Sequence, residues 1–164
     1  MTTDTRRGGN SVTGVTAAAT APADGYTLFG YHQGIVVTQA VLRQYDIPGL
    51  FTQIALTGDL PNVVAVKADS PLRTLEDLIE YGKAHPGKLN YSTPGTGSVE
   101  HLKSIEFERA AGFSSVHIPV KGGPDMVLSL LRGDCQFSLM PIGLAFPYAS
   151  KGQLRYLAIV ADER

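Results

Sequence analysis

The segment richest in chemistry reads Thr93-Pro94-Gly95-Thr96-Gly97-Ser98. Gly95 and Gly97 let the backbone take positive φ and approach a guest closely. Thr93, Thr96 and Ser98 offer hydroxyls, and a helix beginning after Ser98 presents unpaired N–H groups at its positive end. That set suits an anion such as a carboxylate. The same residues also make an ordinary strand-to-helix connection with a serine cap, which is common. The loop is not a dinucleotide fingerprint, because Glu100 stands where the third glycine belongs, and no Gly-Lys-Ser/Thr closes it as a P-loop would. Lys121-Gly122-Gly123-Pro124 is a second candidate anion-facing loop, although local chemistry alone favours a plain turn with an exposed lysine.

Other chemistries find little support. The four histidines, His32, His85, His101 and His117, include no pair at i, i+4 spacing, and the one cysteine, Cys135, completes no ligand cluster; no metal site is expected. His101 lies one turn into the helix after the glycine loop, where it can face a cleft or simply pack. Gly-x-Ser-x-Gly is absent, and Cys135 sits in an apolar run that reads as buried and inert. Nothing assembles a nucleophile with a general acid and base, so no enzyme and no cofactor are expected. The net charge of −1 comes with scattered Lys and Arg, which argues against a nucleic-acid partner.

These residues need elements to hold them. With 164 residues, 43% of them hydrophobic, the chain can bury a real core. No apolar run reaches membrane-spanning length. Val12 to Thr20 reads as a helix remnant, Tyr26 to Tyr31 as a strand, Ile35 to Tyr45 as a helix, and Phe51 to Leu56 and Val63 to Lys67 as strands. Thr74 caps a helix over Leu75 to Ala84, with Asp77 in the capping-box position and Pro86-Gly87 as the stop. A strand over Leu89 to Ser92 leads through the glycine loop to a helix ending near Ala111. A strand over Val116 to Val120, a helix to Arg132, a strand over Cys135 to Met140, a helix over Ile142 to Ser150 and a strand over Leu154 to Val160 follow. This alternation predicts an α/β fold with mainly parallel sheets flanked by helices. Ligands of such sheets bind beyond the carboxyl ends of the strands, which is where both candidate loops fall.

Several segments, in order, resemble one family. Gly8-Gly9-Asn10 with Ala21-Pro22-Ala23-Asp24-Gly25-Tyr26-Thr27-Leu28, then Pro61-Asn62-Val63-Val64-Ala65-Val66, Thr74-Leu75-Glu76-Asp77-Leu78-Ile79 and Pro86-Gly87-Lys88-Leu89-Asn90-Tyr91 carry the first half. Gly95-Thr96-Gly97-Ser98 with His101-Leu102, His117-Ile118-Pro119, Lys121-Gly122-Gly123 and Gly152-Gln153-Leu154-Arg155 carry the rest. The chain is similar to the Bug-type periplasmic substrate-binding proteins of tripartite tricarboxylate transporters.

The resemblance implies a periplasmic-binding-protein-like pair of lobes around a cleft, truncated here at both ends. The second lobe would span 89–149 and be complete. The first would span 1–88, with 150–164 returning to it, and be partial. The absent signal peptide is then expected to be a consequence of truncation, and the location periplasmic. Thr93, Gly95, Thr96, Gly97 and Ser98 would line the cleft from the second lobe, with His101 beside them and Lys121 and Gly122 at a strand-end turn. Tyr31, His32, Gln33 and Gly34 would line it from the first. The implied ligand is a small carboxylate: a di- or tricarboxylate, an amino acid or an aromatic acid. The implied partners are the membrane permease subunits. Two alternatives stand beside this reading: a sensor on the same scaffold, and a truncated remnant that dimerises through exposed strand edges without binding anything. Val120 and Met140-Pro141 depart from the family's usual Tyr and Asp-Asn at those places.

Overall fold

The computed structural model describes residues 2–6, 12–31, 33–43, 45–58 and 61–160. Contacts divide the chain into two compact units, Met1–Leu56 with Gly97–Val99, and Thr57–Thr96 with Glu100–Arg164.

Among the described residues, the first unit contains three helices, α1 (Val12–Ala19), α2 (Gln33–Leu42) and α3 (Ile47–Leu50). Its core is small: Val15, Ile35 and Ile47 are buried, and Phe29, Tyr31, Val36, Tyr45 and Phe51 pack against them. The strands expected at Tyr26 to Tyr31 and Phe51 to Leu56 are not formed. Both runs are apolar, but a strand needs a ladder partner, and none pairs with them among the described residues. Tyr26 and Leu28 are exposed, as are Ile54 and Leu56, while Phe29, Tyr31 and Phe51 turn inward.

The second unit is an α/β/α sandwich. Its elements are β1 (Asn62–Lys67), α4 (Leu75–Ala84), β2 (Asn90–Thr93), α5 (Val99–Ala111), β3 (Val116–Pro119), α6 (Gly123–Arg132), β4 (Ser138–Pro141), α7 (Ile142–Ala149) and β5 (Leu154–Val160). One sheet has the order β4-β1-β5 and a pair β2-β3 runs parallel; a parallel bridge between Tyr91 and Phe137 joins them. The mainly parallel expectation thus holds for β3, β2, β4 and β5. The correction is β1, which runs antiparallel to both β4 and β5. Lys67 pairs near the start of β5 and the bridge sets Tyr91 near the start of β4, so β1 ends at the edge where β2 begins. The connection through α4 returns along that edge and no crossover forces the two strands parallel.

Alternation along β1 builds both sides of the core. Val63 and Ala65 face Met126, Val127, Leu130 and Ala145 of α6 and α7. Val64 and Val66 face the opposite layer, with Leu78 of α4 and with Tyr91, Phe113 and Phe137. Each fully buried Val, Leu, Met or Phe among them contributes about 1.5–3 kcal/mol. β1 is hydrogen-bonded to β4 in one sheet, and the second unit begins at Thr57.

The helix ends follow local chemistry. The Thr74 hydroxyl accepts the Asp77 N–H at 3.0 Å and Asp77 accepts the Thr74 N–H at 3.0 Å, closing a capping box. Gly133 takes φ +83° and terminates α6.

Candidate functional site

β2 ends at Thr93 opposite Pro119, the last residue of β3, and the Val120 N–H donates to the Thr93 carbonyl at 2.9 Å. The glycine loop and the Lys121-Gly122 turn therefore leave the carboxyl edge of the sheet from adjacent parallel strands, where open α/β sheets hold their ligands. Gly95 has φ +144° and Gly97 φ +81°, conformations that a side chain would strain.

Thr93 does not offer its hydroxyl outward. It is fully buried, donates to the Gly95 carbonyl at 3.1 Å, accepts the Gly95 N–H at 3.4 Å and lies 2.6 Å from His117 Nε2. Thr93 is thus the inner clasp of the loop. Thr96 is exposed, and Gly97 and Ser98 are buried. Lys121 is exposed and Gly122, in extended backbone, is the N-cap residue of α6. A Cβ on Gly123 would stand 2.6 Å from Leu144 Cδ1, so glycine allows the start of α6 to sit against α7. Each helix carries an acid in its own first turn, Glu100 in α5 and Asp125 in α6. Those acids already answer part of each helix dipole.

Beneath the loop lies a cluster that sequence reasoning missed. His101 of α5 and His117 of β3 stack with ring centroids 4.1 Å apart, and Tyr91 of β2 stacks on His117 at 5.2 Å. Burial, and then the charge of His101, hold the His117 ring below the usual histidine range. Burial, and then Glu108, push the Tyr91 phenol up to about 12. Searching for i, i+4 pairs could not find this meeting of histidines. The usable signal was strand register: once β2 and β3 are parallel neighbours, His117 falls opposite Tyr91.

In the first unit, Tyr31 is engaged locally. Its ring stacks on Phe29 at 5.5 Å and its hydroxyl bonds the Gln53 side-chain carbonyl. Gln33 opens α2 and Gly34 is buried within it. His32 lies outside the described residues. A concavity lined by Val36, Gln39, Ala40, Arg43, Tyr45, Asp46, Ile47 and Pro48 contains none of the expected contact residues. Among the described residues, no group of His, Cys, Asp and Glu is placed to hold a metal ion, and no helix is long and apolar enough to cross a membrane.

Residues 2–164 match the model of the tripartite tricarboxylate transporter family receptor. The chain belongs to that family. Among its relatives is protein BugT of Bordetella pertussis, 29% identical over 163 residues, which covers 97% of this chain and 50% of BugT. The fold is similar to that of a solved periplasmic transporter, with a TM-score of 0.83 at 28% identity over 96% of this chain and 54% of that one. It is also similar to MatC of Rhodopseudomonas palustris, solved with bound malate, with a TM-score of 0.77 at 24% identity over 96% of this chain and 54% of that one. The chain spans about half the length of these proteins.

Proposed function

We propose that this chain is part of a periplasmic receptor that captures a small carboxylate and presents it to the membrane permease of a tripartite tricarboxylate transporter. The observation that carries the reading is the pairing of two loops at one sheet edge, one opened by Gly95 and Gly97 at positive φ, the other bearing Lys121. Membership of the receptor family supports it. Backbone N–H groups, the Thr96 and Ser98 hydroxyls and the Lys121 ammonium would hold the carboxylate, with no covalent step. Gly122 would shape the turn, and His101 would support the loop from α5. Tyr31, His32, Gln33 and Gly34 are further contacts by resemblance to the family.

A thermal-shift panel of malate, citrate, glutamate and benzoate tests this reading, because a ligand that binds only the folded state raises the melting temperature. A rise with at least one acid, and none with an uncharged analogue such as the corresponding amide, is expected. A flat response across the panel overturns it.

A further inference from the structure

We propose that His117 is a positioning residue for the glycine loop, acting through the Thr93 hydroxyl to fix the shape of the anion-facing backbone. The inference rests on the receptor reading for its functional meaning, although the geometry stands without a ligand. The Thr93 hydroxyl has one proton and two acceptors in reach, the Gly95 carbonyl at 3.1 Å and His117 Nε2 at 2.6 Å. The relay needs that proton directed at the Gly95 carbonyl and His117 Nε2 as the donor to Thr93. This selects the tautomer that carries the proton on Nε2. A relay results: His117 donates to Thr93, and Thr93 donates to Gly95. Gly95 is the first of the two residues whose positive φ opens the loop.

The ring is itself held by two neighbouring rings, which also lie near each other, 6.5 Å apart. Tyr91, only 2% exposed, stacks on it from the neighbouring strand and His101 from α5. Because Tyr91, Thr93 and His117 lie on one face of a parallel ladder, the sheet sets their spacing. Supporting bonds of this kind orient the groups that touch a ligand without touching it themselves.

The test needs no ligand, so its failure and the failure of the carboxylate reading are read separately. Amide hydrogen exchange at Gly95, Thr96 and Gly97 is measured in the unaltered chain and in T93V, H117F, H117Q and the double variant T93V/H117F. Loss of one hydrogen bond should speed loop exchange by about ten-fold in T93V and in H117F. The double variant should be no faster than the singles, since both cut one relay. Glutamine places a donor near the position of Nε2, so H117Q should stay within roughly three-fold of the unaltered chain. Nitrogen-15 spectra should show the His117 ring protonated on Nε2. Unchanged loop exchange in T93V, additive effects in the double variant, H117Q as fast as H117F, or a proton on Nδ1 would each overturn the proposal. T93V, nearly the same shape as the native side chain, carries the test if H117F does not fold.

Discussion

Tyr91 and His117 face each other across the β2–β3 ladder with ring centroids 5.2 Å apart, and the same ladder brings Thr93 within hydrogen-bonding distance of the histidine. Groups separated widely in sequence thus meet under the loop that the family resemblance singles out.

That cluster predicts an acid sensitivity. The folded state holds the His117 ring below its ordinary value, so the folded protein takes up this proton less readily than the unfolded chain does. The resulting stabilisation is present above the unfolded value, near 6.5, and is lost as the pH falls through the lowered folded one. The groups facing the ring are Tyr91 from β2 and His101 from α5, with Glu108 acting on Tyr91 from farther along α5. Melting temperature should fall between about pH 7 and about pH 5 more steeply in the unaltered chain than in H117Q. Parallel curves would contradict the assignment.

The α4 layer offers a packing test. A Cβ on Gly82 would stand 2.6 Å from Phe113 Cδ2 and 2.8 Å from its Cγ. The Phe113 ring is boxed in by Phe107 and Phe137, whose centroids lie 5.4 and 6.1 Å away, so it cannot swing freely. Alanine gains about 1 kcal/mol of helix propensity. Overpacking costs about 1–3 kcal/mol. Gly82→Ala should therefore destabilise by up to about 2 kcal/mol in urea unfolding, and a clearly more stable protein would refute the packing account.

The capping box gives a third prediction. Thr74→Ala removes the acceptor of the Asp77 N–H and should cost about 1 kcal/mol. The Arg73 and then Thr74 backbone N–H groups hold the Asp77 carboxyl below its ordinary value of 3.8. Its contribution is present above that value and is lost as the pH falls through the lowered one. An Asp77→Ala chain should approach the unaltered chain in stability at strongly acidic pH; a constant gap would speak against the box.

Much of the second unit was legible because its punctuation is local. Thr74, Asp77 and Pro86-Gly87 mark both ends of α4, Gly133 ends α6, and the apolar run from Leu154 to Val160 coincides with β5. What could not be read is whatever depends on partners. Tyr26 to Tyr31 and Phe51 to Leu56 have strand-like composition, yet they form no ladder among the described residues. The direction of β1 depends on β4 and β5, neither of which is near it in sequence. That Thr93 is buried beside His117 depends on its place in the ladder, which the loop sequence around it does not show. The His101–His117 stack similarly needs the register of two strands and the seating of a helix.

The claim that the glycine loop holds a carboxylate is tested most directly by isothermal titration of malate into the unaltered chain, Gly97→Val and Ser98→Ala. Valine at a φ of +81° carries backbone strain of about 1–3 kcal/mol and reshapes the loop, so affinity should fall about ten-fold or more. Loss of the Ser98 hydroxyl should weaken binding by a smaller factor. Malate binding with the same affinity in all three chains would contradict the account.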